Sequence, residues 1–134
     1  MIAAEDLMIG NWVNESILGD VYINEIHANS VSVLVKHMDI NKVVSDVAYT
    51  ISCSNLNGIP LTPDVLERVG FEFSIYHQAF HLDNFHLDLN ESYPKGYSLC
   101  EFRNRKIVVP NIYFLHTLQN ICKVFGKDLK FKTT

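Results

Sequence analysis

The sequence predicts an α+β protein with a β-rich N-terminal part and a C-terminal part in which two helices flank an antiparallel sheet. Three observations predict this class. Alternating apolar and β-branched residues fill residues 9–53, a capped helix begins near residue 62, and an apolar stripe with helical spacing occupies residues 112–125. We therefore divide the chain into segments 1–57 and 58–134, with one compact domain as the alternative.

The first segment is predicted to contain strands at Asn11–Asn14, Asp20–His27 and Ser30–Val35. The β-branched stretch Val43–Cys53 adds one or two more strands, and Leu56–Gly58 has the composition of a turn. Several short strands within about fifty residues favour a small barrel or curled sheet of the SH3-like kind.

The stretch "IPLTPDVLERVGF" predicts a short helix. Thr62 suits the N-cap, and Pro63 suits the first helical position, where a missing N–H costs nothing. Gly70 is expected to end the helix, and Val65 and Leu66 are expected to face the core. Because this helix spans only about two turns, tertiary packing must hold it in place.

A four-stranded antiparallel meander is predicted after this helix. Its strands are expected at Glu72–Leu82, Phe85–Glu91, Tyr97–Phe102 and Arg105–Val109. Asp83-Asn84 is expected to form the turn between the first two strands, and further turns are expected at 92–96 and 103–104.

The stretch "NIYFLHTLQNICKVFG" predicts a closing helix that packs on the sheet, with Asn111 as its cap and Gly126 as its stop. Its apolar stripe consists of Ile112, Leu115, Leu118, Ile121, Cys122 and Phe125. The opposite, polar side carries His116, Gln119 and Asn120. These three are expected either to anchor the helix through hydrogen bonds or to contact a partner.

The three cysteines, Cys53, Cys100 and Cys122, include no close pair. This pattern argues against a disulfide framework and a cysteine zinc site, so we expect reduced thiols in a cytoplasmic protein. Cys122 lies in the apolar stripe, where burial raises a thiol pKa. The chain has no signal-peptide pattern and no apolar run long enough to cross a bilayer, so no membrane partner is expected.

Charge is distributed unevenly along the chain. Residues 1–94 carry three basic and thirteen acidic side chains, a net charge of −10, whereas residues 95–134 have a net charge of +6. Such asymmetry can mark a nucleic-acid surface, or it can reflect opposite charges that meet within the fold or an oligomer. The candidate nucleic-acid patch consists of Arg103, Arg105, Lys106, Lys123 and Lys127.

The stretch "FHLDNFHLDLN", residues 80–90, repeats one phrase around Asp83-Asn84. A two-residue turn there pairs Leu82 with Phe85 and His81 with His86. The apolar side chains then face the core, and the histidines line the outer face. That outer face is either a solvated or partner-facing surface or a zinc or nickel site. The candidate metal ligands are His81, His86, Asp88 and His77.

Three stretches, in order, carry a resemblance to a known family. They are "DLMIGNWV" (Asp6–Val13), "GIPLTPDVLERVGF" (Gly58–Phe71) and "YFLHTLQNICKVFGKDL" (Tyr113–Leu129). They resemble a family of small uncharacterised proteins from Bacteroidetes and their phages and mobile elements. The resemblance implies an α+β fold and a phage or prophage setting, with no known activity. His116, Gln119 and Asn120 occupy the family's His-x-Leu-Gln-Asn positions, whereas the His81/His86 pair is not part of the family pattern.

We therefore expect a non-enzymatic accessory or interaction protein in the cytoplasm of a bacterial host, with a protein partner or self-association. No nucleophile-elbow, phosphate-loop or dinucleotide motif indicates catalysis or a cofactor. Two alternatives remain open. One is a nucleic-acid-associated protein that uses the basic C-terminal region, and the other is a metal-binding protein that uses the His81/His86 hairpin.

Overall fold

The computed structural model describes residues 1–38, 40–90, 96–100 and 106–132. These residues form two five-stranded antiparallel sheets and two α-helices, which confirms the predicted α+β class with β-structure predominating. The chain divides into two compact units, Met1–Ile59 and Pro60–Thr134. Within the described ranges, no helix combines the length and apolar character needed to span a membrane.

The N-terminal unit contains one sheet with the strand order β4-β3-β2-β1-β5. The strands are β1 (Trp12–Glu15), β2 (Gly19–Ile26), β3 (Ser30–Met38), β4 (Val44–Ser52) and β5 (Leu56–Asn57). A single 3₁₀ turn at Cys53–Asn55 precedes β5. The predicted turn at Leu56–Gly58 is wrong, because Leu56 pairs with Glu15 and its side chain is fully buried in the core.

The core of this unit lies between β1, β2 and the first half of β3. Its centre consists of Val13, Val21, Ile23, Val31 and Val33, each almost completely buried. The side chain of Glu15 is also buried, and its Oε2 accepts hydrogen bonds from the backbone N–H groups of Ile17 and Leu18 at 3.0 and 2.6 Å. A buried carboxylate is tolerated here because it satisfies the tight turn between β1 and β2.

The C-terminal unit begins with the predicted short helix, α1 (Pro63–Arg68). Thr62 Oγ1 accepts a hydrogen bond from the Val65 N–H at 3.2 Å, which confirms the predicted N-cap. Gly70 has φ +101°, a left-handed conformation that ends the helix at little cost only for glycine. Val65 and Leu66 are buried as predicted.

The sheet of this unit has the order β10-β9-β8-β7-β6. Its strands are β6 (Glu72–Ser74), β7 (Ala79–Leu82), β8 (Phe85–Asn90), β9 (Gly96–Cys100) and β10 (Ile107–Ile112). The predicted single strand Glu72–Leu82 is wrong, because the chain reverses within it and adds a fifth strand. The reversal is stabilised by the Ser74 hydroxyl, which accepts from the His77 N–H, and by the Gln78 side chain, which donates to the Ile75 carbonyl.

The closing helix, α2 (Leu115–Val124), starts later than predicted. Asn111 does not cap it. Residues 111 and 112 instead extend β10, where Ile112 pairs with Tyr97 and is buried. Gly126 ends the helix as predicted, with φ +85°. Phe125 is 56% exposed rather than part of the core stripe, but its ring makes an edge contact with Phe85 in β8.

Candidate functional site

The β7–β8 hairpin has the register that the repeated phrase predicts. Leu82 pairs with Phe85, His81 with His86 and Phe80 with Leu87, around the turn Asp83-Asn84. The register follows from the alternation of apolar and polar residues, because a slip of one residue would exchange the two faces. Asp83 adopts φ +50°, as a two-residue hairpin turn requires.

The predicted solvent-facing position of His86 is wrong. Its side chain is only 1% exposed, because β8 lies at the centre of the sheet and the ring of His77 packs edge-on against it, with centroids 6.1 Å apart. Leu89, expected in the core, is half-exposed. The sheet therefore buries residues on both faces near its centre, and the simple inside–outside alternation fails there.

Three polar side chains meet on the histidine face of β8 and β9. His86 Nε2 lies 3.3 Å from Asp88 Oδ1, and Cys100 Sγ lies 3.6 Å from Asp88 Oδ2. Cys100 and His86 are directly opposite each other in the ladder, which explains why these groups come together. Local sequence patterns do not place Cys100 near the histidines, because the register of β8 with β9 depends on tertiary pairing.

The structure brings some of the candidate metal ligands together, but the described residues do not form a complete metal site. His81 and His86 are cross-strand partners, and Asp88 is close to His86. His77 lies on the β6–β7 turn, and its ring makes an edge contact with the ring of His86. In the described part of the chain, no three His, Cys, Asp or Glu side chains are arranged to hold a metal ion. The zinc or nickel site stays a prediction.

The predicted polar face of α2 is largely buried. His116 and Gln119 are 6% and 5% exposed, because the segment after the helix also packs here and buries Leu129 and Phe131. Gln119 Nε2 donates to the Leu129 carbonyl at 3.2 Å. This bond supports an anchoring role for Gln119. Asn120 is half-buried, and the His116 ring stacks on Phe114 with centroids 5.9 Å apart.

The same helix also contributes Cys122 to the core. Its side chain is fully buried, and burial raises the pKa of its thiol to about 12, as the sequence predicted in direction. All three cysteines are free and buried.

The candidate nucleic-acid patch is only partly within the described residues, since Arg103 and Arg105 lie outside them. Lys106 and Lys123 are exposed. Lys127 Nζ lies 2.9 Å from Asp83 Oδ2, in the turn of the β7–β8 hairpin. The Asp83 carboxylate therefore offsets part of the positive charge of Lys127. The patch stays a prediction.

One exposed region of the described structure was not predicted as a site. It is the outer part of the β3–β4 hairpin, residues 36–38 and 43–50, which we call the β3–β4 arm. Every described residue of the arm is exposed except Val47, which is half-buried. The arm displays large apolar side chains, with exposures of 61% for Met38, 54% for Val44 and 44% for Tyr49. The turn at its tip adds Ile40, which is 97% exposed.

β4 is also an edge of its sheet. Along its nine residues it pairs with β3 in a regular register from Ser30↔Ser52 to Met38↔Val44, without a bulge. The Cys53 N–H donates to the Asn29 carbonyl at 3.0 Å, so these two residues form a hydrogen-bonded pair. Hydrogen-bonded and non-hydrogen-bonded pairs then alternate along the ladder from this point. The residues whose backbone N–H and C=O groups then point away from β3 are Val44, Asp46, Ala48, Thr50 and Ser52.

Comparison with known proteins adds no relative. No protein-family model, curated protein or solved structure matches the chain.

Proposed function

We propose that the chain is a non-enzymatic protein-interaction module that binds an extended segment along the edge of β4. The observation that carries the proposal is the β3–β4 arm itself, a regular ladder whose outer pairs, from Lys36↔Asp46 to Met38↔Val44, lie beyond the pairing of β3 with β2 and are exposed on both faces. A two-stranded hairpin is at best marginally stable alone in water, whereas a third strand supplies both hydrogen bonds and packing. The arm therefore gains stability when another strand adds to it.

The edge lacks the features by which proteins usually prevent strand addition. β4 contains no proline, no lysine and no bulge, and its only charged side chain is Asp46. In proteins that remain monomeric, exposed edge strands are generally short, twisted by bulges or protected by lysine and proline. A nine-residue edge with valine, tyrosine and isoleucine side chains instead matches the surfaces that accept strands in known modes of peptide recognition.

The strand order of the N-terminal unit supports a finer proposal for its fold. In the order β4-β3-β2-β1-β5, the last short strand returns to the first, and a 3₁₀ turn precedes it. This arrangement supports an SH3-like curled sheet, in which β4 forms an edge. The motif resemblance to proteins of Bacteroidetes phages and mobile elements supports an accessory role in such a setting, inside the bacterial host cell.

The proposal is tested with a synthetic peptide of the β4 sequence "VSDVAYTIS", titrated into isotopically labelled protein and followed by NMR. We expect shifts and slowed exchange of the outward-facing amides, centred on Ala48. The variant Ala48→Pro removes one outward N–H without removing a bond to β3, so it should lose the response. Ala48→Val retains the N–H and should keep it.

Either of two results would contradict the proposal. If the wild-type protein leaves the β4 amides unchanged at saturating peptide, or if Ala48→Pro responds as Ala48→Val does, the β4 edge does not accept a strand. Circular dichroism of the two variants checks that the fold is retained, since Ala48 is exposed and neither substitution removes core packing.

A further inference from the structure

We propose that the strand that adds to β4 is β4 of a second copy of the chain, paired antiparallel about a two-fold axis through Ala48. This inference rests on the proposed function, because it names the partner of the same edge. It follows from three features of the arm: the position of its outward-facing groups, the placement of its charges and the side chains that would meet across the axis.

The backbone groups of β4 are self-complementary. A two-fold axis at Ala48, the middle of Val44–Ser52, pairs every residue of the strand with a residue of the partner strand. In this register Val44 meets Ser52 and Asp46 meets Thr50, while Ala48 meets its own copy. All of these are outward-facing residues, so each pair can exchange two backbone hydrogen bonds. A shift of the axis away from Ala48 leaves unpaired residues at both ends.

The charges of the arm are compatible with a second copy. Asp46, the only charged residue of β4, lies opposite Thr50 of the other strand and not opposite a second carboxylate. Within one copy, Asp46 also lies across the ladder from Lys36 of β3. The two-fold arrangement therefore brings no like charges into opposition, which would otherwise oppose strand pairing.

The side chains also fit across the axis. Val47 of one copy lies opposite Tyr49 of the other, and the symmetry repeats this contact. Pairs of an aromatic and a β-branched residue are among the stabilising cross-strand combinations. Both copies contribute the same β4 edge to this two-fold contact, and each copy has a single β4 edge. The assembly therefore ends at a dimer.

The test combines sedimentation with cysteine trapping in the full chain. Wild-type protein should show a monomer–dimer equilibrium, and Ala48→Pro should weaken its association constant roughly tenfold to a hundredfold, since the two central hydrogen bonds are lost. Under mild oxidation Ala48→Cys should form a disulfide-linked dimer, because directly opposed residues in a ladder lie about 5.5 Å apart at Cα, within disulfide range. A mixture of Val47→Cys and Tyr49→Cys proteins should form the mixed disulfide.

Ser45→Cys is the matched control. Its two copies would be separated by six residues along the ladder, roughly 20 Å, so it should not cross-link. Wild-type protein controls for the native cysteines, which are buried. A chain that remains monomeric at high concentration while the β4 peptide still binds overturns the second-copy inference and leaves the proposed function standing. Equal cross-linking of Ser45→Cys and Ala48→Cys overturns the two-fold register, and absence of both dimer and peptide binding overturns both proposals.

Discussion

The β3–β4 and β7–β8 hairpins are both regular antiparallel pairs, but their surroundings differ. β8 is the middle strand of its sheet, with β7 on one side and β9 on the other, and it contains the fully buried Leu87 and His86. β4 has one neighbour, and seven of its nine residues are exposed, while Val47 and Ile51 are half-buried. Two hairpins with the same regular antiparallel pairing can therefore differ in how much of their surface other strands cover. One hairpin supports its own core, and the other presents an exposed edge.

The largest expected contrast is in thiol reactivity. At pH 8, Cys122 should react with iodoacetamide roughly a thousandfold more slowly than a cysteine introduced at His37, because burial holds its pKa at about 12 and leaves far less thiolate. The rate at Cys122 should rise with pH up to that pKa, since only the thiolate reacts. Peptide mass spectrometry measures both rates. Similar rates would mean that the C-terminal unit opens as readily as the arm.

Core truncation should separate the two hairpins next most strongly. Leu87→Ala in β8 should lower the free energy of unfolding by about 2–5 kcal/mol, because it leaves a cavity at a fully buried position. Val44→Ala in β4 should change the free energy of unfolding by less than about 0.5 kcal/mol in dilute protein, where no second copy is bound to β4. Urea titrations measure both. Comparable losses for the two variants would contradict the assignment of β8 to the core and β4 to the surface.

A matched pair of histidines gives a smaller contrast. His86→Ala should cost about 1–3 kcal/mol, because the buried imidazole beside Asp88 is lost and its packing with His77 goes with it. His37→Ala, at an exposed position of β3, should be within about 0.5 kcal/mol of the wild type. Thermal unfolding followed by circular dichroism measures the difference. An equal effect at His37 would show that the arm has packing partners in the monomer.

The smallest expected effect concerns the segment that follows α2. Gln119→Met should cost about 1–2 kcal/mol, because it removes the hydrogen bond to the Leu129 carbonyl while keeping the side-chain volume. Lys123→Met, on an exposed position of the same helix, is the control. Amide exchange at residues 129–132 should accelerate in the first variant only. Unchanged exchange there would remove the anchoring role assigned to Gln119.

Local chemistry predicted several elements correctly. Thr62, Pro63 and Gly70 define α1, because capping, N1 and left-handed positions each demand particular residues. The turn at Asp83-Asn84 predicted the register of β7 and β8 for a similar reason.

The errors arose where tertiary contacts decide the outcome. The β6–β7 reversal has no glycine or proline and depends on the side chains of Ser74 and Gln78. Asn111 suits a helix cap, but the pairing of Ile112 with Tyr97 keeps the chain in β10. His86, His116 and Gln119 look like surface residues, yet neighbouring segments cover them. The exposure of the β3–β4 arm was not predicted, because alternation predicts a strand without showing whether other elements cover it.

Hydrogen exchange at increasing protein concentration tests whether β4 pairs with a second copy, and it observes both hairpins in the same sample. We expect the Leu87 amide in β8 to be protected equally at all concentrations. The outward-facing amides of Asp46, Ala48 and Thr50 should exchange rapidly in dilute protein and become protected as concentration rises. Protection of these three amides that does not change with concentration would contradict the pairing of β4 with a second copy.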